Sequence, residues 1–400
     1  MKKLHFLEVE GNTKGFYIFL GLFGLISLIG MLAAYYMEHN GHWVTGMSNQ
    51  VIWGTPHVFA IFLIVAASGA LNVASISSVF AKTAYKPLAR LSGMLSMALL
   101  AGGLVVLLLD LGRPDRLIVA MTQFNFVSIF TWNIFLYTGF MAIVAIYLWT
   151  MMDRPYNNFT KKAGMTAFIW RLILTTGTGS IFGFLIAREA YDTALLAPMF
   201  IIMSFSFGLA VFMLVLMASY KYTQRDLGDY IVNRLKNLLG VFVAAVLFFV
   251  IIYHVTNLYS ADHRDITLFI LTDGGVYTFL FWVIQIALGA ILPLILIYGP
   301  TGNNRTMIGL ASVLIILGGM AQLYVIIIGG QAYPMYLFPG MVESSSFYDG
   351  IVASYVPSLP EFLLGMGGVG VTLLLLTVAV AALKFLPASL ADEIANPHSK

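Results

Sequence analysis

Ten times along the chain, about twenty consecutive residues pass almost without charge, which is the length a helix needs to cross the hydrocarbon core of a bilayer. The runs are 16–37, 58–81, 88–109, 129–152, 165–187, 196–218, 237–259, 276–298, 306–328 and 362–383. Only 10% of the 400 residues are charged and 60% are hydrophobic, whereas a soluble surface needs about a quarter of its residues charged. An all-α integral membrane protein is therefore expected, with about ten transmembrane helices and the lipid bilayer as its first partner. The first run is too long for a secretory signal, Glu8 and Glu10 precede it, and no A-x-A site follows. It is read as an uncleaved anchor.

Ten spans put successive loops on alternate sides, so basic residues set the orientation. Seventeen of the 21 Lys and Arg lie on the side of the termini, and only Arg113, Arg116, Arg188 and Arg264 lie on the other. Both termini are expected in the cytoplasm of a bacterial inner membrane. Eleven of the 18 acids fall on the outer side. The outer face would steer a basic partner or a cation; equally, acids collect where basic residues are excluded. A net charge of +3 is no phosphate-tracking surface, so no nucleic acid is expected. The chain contains no cysteine, which removes disulfides, thiolate-bound zinc, cysteine-held iron–sulfur clusters and thiol catalysis together.

Ionisable groups at membrane depth are costly, so their positions carry the functional signal. His57 begins the second span, Asp110 ends the third, Trp132 and Asn133 open the fourth, and Arg188 and Glu189 end the fifth. All fall near the outer surface, which suggests a four-helix bundle with a site at its outer mouth. Asp110 and Arg113 stand at i, i+3 and can pair if the helix continues that far, with Pro114 breaking it beyond. Each residue taken singly has a plainer reading, as a helix-end ion pair, a cap or an interfacial anchor; the convergence favours a site. An imidazole with a carboxylate suits two-proton quinone chemistry, because it serves as donor in one direction and acceptor in the other.

Small residues at Ser68-Gly69, Gly102-Gly103 and Gly177 to Ser180 fit either tight helix packing or a groove for an isoprenoid tail, and packing is the more economical reading. A second polar set comprises Tyr253 and His254, Gln285, and Gln322 with Tyr324. It suits interhelical hydrogen bonds or a water and proton path. The G-x-G-x-x-G match at Gly365, Gly367 and Gly370 opens an apolar span with no preceding strand, so a dinucleotide site is excluded. Only His57 and His254 lie at membrane depth, which argues against haem. His39, His42 and His263 in outer loops lack metal-site spacing, and no metal is expected. The segment from Gly329 to Glu361 is rich in aromatic residues, carries Glu343, Asp349 and Glu361 without a basic residue, and reads as an ordered cover or docking surface.

The run Leu109-Asp110-Leu111-Gly112-Arg113-Pro114-Asp115-Arg116, with a histidine opening the preceding span, resembles the membrane subunits of the polysulfide reductase (NrfD/PsrC) family. Within it, the ten-span layout is most similar to quinone-interacting subunits of dissimilatory sulfur metabolism. The resemblance implies two four-helix bundles with two flanking helices. The layout becomes tail 1–15, first span and loop 16–56, first bundle 57–192, second bundle 193–328, outer loop 329–361, last span 362–383 and tail 384–400. It further implies menaquinone or ubiquinone near the outer surface of the first bundle, and neither haem nor iron–sulfur cluster in this protein. The clusters would sit on an extracytoplasmic ferredoxin-like subunit, beside further cytochrome and membrane subunits. The implied function is a quinone-linked oxidoreductase subunit of sulfur-compound metabolism. His57 and Asp110 would exchange protons, with Arg113, Trp132, Asn133, Arg188 and Glu189 around them. A secondary transporter and a non-catalytic membrane anchor remain the alternatives.

Overall fold

The computed structural model describes residues 5–11, 13–335 and 350–396. Glu343 and Asp349, together with most of the aromatic run after Tyr333, lie outside the described residues.

Lipid offers the backbone no hydrogen-bond partner, so each apolar run closes its own bonds as a helix. Nine helices are long and apolar enough to cross a membrane among the described residues: Lys14–Asn40, Thr55–Ser78, Thr83–Leu109, Ile129–Met152, Leu196–Tyr222, Asp229–Tyr259, Val276–Tyr298, Arg305–Ala332 and Leu359–Ala382. A tenth, Thr160–Gly183, has comparable length but is less apolar, since it carries Lys161, Lys162 and Arg171. In chain order they are α1 to α10, with Thr160–Gly183 as α5. The protein is thus an all-α integral membrane protein. The described strands are one two-residue pair, β1 (Phe6–Leu7) antiparallel to β2 (Leu386–Pro387). That pair holds the two ends of the chain on one face, called here the terminal face; the opposite one is the far face.

Helices α2 to α5 pack on one another, as do α6 to α9, while α10 lies against α1, α2 and α3. The bundles meet where α6 crosses α2 and α5. At that crossing Gly69 and Gly208 bring the backbones together, and a Cβ on either would overlap the other helix. The Ser68-Gly69 pair is therefore a packing device. Gly102 acts similarly against Gly368 and Thr372 of α10.

Local chemistry sets the ends that matter for the site. Pro56 occupies the first turn of α2, where its missing N–H is not needed. Helix α10 opens with a capping box in which Ser358 and Glu361 satisfy each other's backbone N–H groups. Helix α3 stops at Leu109 because Gly112 adopts a φ of +70°, a conformation that favours glycine.

Candidate functional site

His57 and Asp110 meet at the far end of the first bundle. His57 stands in the first turn of α2 and Asp110 caps the C-terminus of α3. Nδ1 of the imidazole lies 2.7 Å from Oδ2 of the carboxylate, whose side chain is 1% exposed. Asp110 meets no donor along a hydrogen-bonding direction with either oxygen, and Oδ1 has no other partner among the described residues. A buried carboxylate with spare acceptor capacity is costly unless something completes it. The ring of His42 covers Gly112 at the turn beneath, at van der Waals distance from where a Cβ would stand.

The pairing of Asp110 with Arg113 does not form. The helix ends before Arg113, which turns outward to a bidentate pair with Asp115, 2.9 Å away and exposed. That pair holds Asp115 below the usual carboxylate range, and in turn raises the Arg113 guanidinium. Trp132 is half exposed and donates to the Phe126 carbonyl at 2.9 Å. Asn133 is buried and donates to the carbonyls of Ile129 and Gly177, at 2.9 and 3.2 Å, tying α4 to α5.

Arg188 and Glu189 lie beyond the end of α5, which closes at Gly183, and they serve different ends. The Arg188 guanidinium donates to the carbonyls of Gln331, at 3.0 Å, and Gln50, at 2.7 Å. The Glu189 carbonyl accepts from His263 at 2.7 Å. Burial and then the Asp265 charge push the Glu189 carboxyl above its ordinary range, with His263 opposing.

Several residues that build the site carry no motif. Gln331 accepts from the N–H groups of Ile52 and Trp53 and donates to the carbonyls of Trp53 and Ile327, at 2.8 to 3.0 Å, so its amide is fully used. Arg188 and Gln331 together fix the segment leading into α2. The Tyr355 hydroxyl accepts from the N–H of Thr55 and donates to Glu361, each at 2.7 Å. Glu361 is fully buried and also accepts from Gly46 and Ser358, each at 2.8 Å. Burial, above all, raises the Tyr355 hydroxyl pKa, which keeps it neutral beside that carboxyl. The Trp53 ring, 6.2 Å from His57, leans on Phe182 at 5.5 Å and Phe130 at 6.3 Å, forming an aromatic wall beside the imidazole.

Arg171, read from the sequence as one of the basic residues of the terminal side, is instead fully buried inside the first bundle. It donates to Asn72 at 2.9 Å and lies between the rings of Phe168 and Phe205, each 4.9 Å away. Two flat aromatic faces accept a guanidinium that water does not reach.

Residues 43–334 match the family described as polysulphide reductase, NrfD, which is more than half of the protein. Relatives match along most of their length. The protein is 27% identical to the Hdr-like menaquinol oxidoreductase integral membrane subunit of Archaeoglobus fulgidus, over 98% of its own length and 99% of the relative. It is 24% identical to a selenate reductase subunit from Mesobacillus selenatarsenatis, over 91% and 93%. With a polysulfide reductase polypeptide from Wolinella succinogenes the identity is 24%, over 71% and 96%. The protein belongs to the polysulphide reductase NrfD family of membrane subunits.

Proposed function

We propose that this member of the family exchanges electrons between a membrane quinone, menaquinone or ubiquinone, and a partner subunit, through a quinone site at the far end of the first bundle. The observation that carries the reading is the His57–Asp110 pair, 2.7 Å apart at the far end of α2 and α3. Its fit to a quinone head group rests on the incompletely satisfied Asp110 carboxylate and on the aromatic wall of Trp53, Phe130 and Phe182. The relative from Archaeoglobus fulgidus is named as a menaquinol oxidoreductase subunit, which points the same way.

A bound quinol would supply two electrons to the partner subunit and two protons, one taken by the His57–Asp110 pair and the other released to solvent at the far face. His57, with Nδ1 turned to Asp110, offers Nε2 to a ligand hydroxyl and takes its proton there. The Asp110 carboxylate, 2.7 Å from Nδ1, offsets the charge that the ring gains. Trp53, backed by Phe182, covers one side of the imidazole. Gln331, Arg188, Tyr355 and Glu361 hold the start of α2 and so fix the ring's position; they are positioning residues. For quinone reduction the same steps run backwards.

The basic residues gathered on the terminal face support a reading in which the far face lies outside. It would meet an iron–sulfur subunit there, in keeping with a protein that has no cysteine of its own. A setting in sulfur-compound respiration, in a bacterial inner membrane, is part of the same proposal, supported by the relative named as part of a polysulfide reductase.

The test is Asp110→Asn in the complex purified with its native partners. Assembly should persist, while quinol-linked turnover falls by about two to four orders of magnitude, the usual worth of an acid–base group. Unchanged turnover in the assembled variant would overturn the reading.

A further inference from the structure

Helix α4 begins at Ile129, yet the uncharged stretch that contains it begins earlier. From Leu117 to Met152 there is no Asp, Glu, Lys, Arg or His, and α4 accounts only for Ile129–Met152. The surplus, 117–128, leads from the far end of α3 to the far end of α4. It forms a short helix, Leu117–Thr122, and then the run Gln123-Phe124-Asn125-Phe126-Val127-Ser128. Its apolar side chains are not buried in the protein: Ile118 is 63% exposed, Phe126 58% and Val127 94%. So large an uncharged apolar surface needs a cover.

Where the segment packs identifies that cover. Trp132, Phe135, Ala142, Ile146 and Trp149 form an exposed stripe along the side of α4 turned away from the bundle, and in an integral membrane protein such a stripe meets lipid. Trp132 and Trp149 lie about 26 Å apart along the helix axis, near the ~30 Å thickness of a hydrocarbon core. Tryptophan gathers at the two membrane–water boundaries, so Trp132 marks the boundary at the far face. Phe135 is almost one turn further in, about 4–5 Å deeper. The Phe124 ring stands 4.8 Å from the Phe135 ring, and the Phe126 ring stacks on it at 6.2 Å with Trp132 5.9 Å away. The segment therefore reaches down the lipid side of α4 to the level of that boundary and below it.

A loop at this depth must find partners for its polar groups within the protein. The Trp132 indole donates to the Phe126 carbonyl at 2.9 Å and the Thr122 hydroxyl to the Ile118 carbonyl at 2.8 Å. The N–H of Gln123 donates to the Val119 carbonyl at 2.8 Å and that of Ser128 to the Asn125 carbonyl at 3.0 Å. The Asn125 side chain accepts from the N–H of Val127 at 3.1 Å. Charge ends where the apolar surface starts, with the exposed Arg113–Asp115 pair and Arg116.

We propose that residues 117–128 form a foot set into the far leaflet of the bilayer, with their apolar side chains among the acyl chains just beneath the headgroups. The occupant of this surface is lipid and not a docked subunit, because the segment continues the lipid-facing stripe of α4 instead of rising out of the membrane. The foot also borders the candidate site, since Phe130, just beyond it, stands 6.3 Å from Trp53 in the aromatic wall beside His57. Insertion into lipid does not depend on the quinone reading, and its test involves no turnover.

The test is a nitroxide attached to Val127→Cys in the full-length protein, which has no other cysteine, reconstituted in phosphatidylcholine vesicles both alone and in the complex with its native partners. The unsubstituted complex, treated alike, gives the background from partner subunits. Collisions with dissolved oxygen, which concentrates in lipid, should outnumber those with a water-soluble nickel chelate and place the label about 5–10 Å below the phosphates in both preparations. Phe124→Ser combined with Phe126→Ser should bring the same label up into water, while a label on Ala142→Cys stays in the core and shows that α4 is in place. A Val127→Cys label that meets the chelate more often than oxygen would overturn the proposal. So would one that neither reagent reaches in the complex, since a partner subunit would then be the cover.

Discussion

Each bundle carries a histidine towards its far end, yet the surroundings of the two differ in kind. His57 is clamped against a buried carboxylate by a start of helix that four hydrogen-bonding side chains hold in place. His254 has no ionic partner among the described residues, lies on a cavity wall, and is surrounded by π-helical turns. In the first bundle the protein supplies the counter-charge and fixes one geometry. In the second it supplies space beside the imidazole and, among the described residues, no counter-charge. One helical architecture therefore holds a tightly paired histidine in one bundle and a histidine on a cavity wall in the other.

The sharpest test of that difference is to neutralise one group in each bundle. Asp110→Asn should lower quinol-linked turnover by about 10²–10⁴, whereas Gln322→Leu should leave it within a factor of about three; equal losses in steady-state assays would erase the distinction. Next comes the joint between the bundles. Gly208→Val forces a side chain into the backbone of α2, and overpacking of this sort costs roughly 1–3 kcal/mol or more, visible as a lower yield of folded protein and a lower Tm. Tyr355→Phe leaves the N–H of Thr55 and the buried Glu361 short of a partner. A stability loss of about 1–3 kcal/mol is expected, with a rise in KM for quinol if the loosened start of α2 reaches His57.

The smallest effect concerns pH. Glu189 has its carboxyl pKa raised in the folded protein from an ordinary 4.5. It thus favours the fold when protonated, and that contribution is lost as pH rises through the folded value. Glu189→Gln should flatten this part of the decline in Tm between pH 4.5 and neutrality; an unchanged slope would assign the decline elsewhere.

Much of the fold is legible in the sequence because lipid imposes one simple requirement, and the apolar runs announce themselves. What they do not announce is which face each helix turns to its neighbours. Mean hydropathy is 2.3 for α1 and 2.1 for α2, yet 17% of the first window is buried against 89% of the second. In a bilayer, protein core and lipid select the same side chains, so hydropathy cannot separate a central helix from a peripheral one. The same ambiguity misplaces Arg171, whose burial depends on Phe168 and on Phe205 from another helix.

At the site, His57 and Asp110 are readable because both are ionisable residues at span ends. Arg113 does not reach Asp110 because the helix stops at Leu109, ahead of the positive φ of Gly112. Its proximity to Asp110 along the sequence then means little. Gln331, Tyr355 and Glu361 lie some 300 residues from the backbone groups they hold, and no local pattern signals such partners. One clue is present in the capping sequence from Ser358 to Glu361, which fixes where α10 begins, though not that its acid reaches Gly46.

The small pairing of β1 with β2 joins segments at opposite ends of the protein, and α1 packs chiefly on α10. Synthesis delivers α1 well before α10, so α1 waits in the membrane while the spans between them are made. Until then its small-residue face, with Gly30 destined for Gly367, is open to whatever else the insertion machinery or the lipid presents. Arrival of α10 is thus the step that covers this face. A truncated product that lacks α10 would leave that face bare.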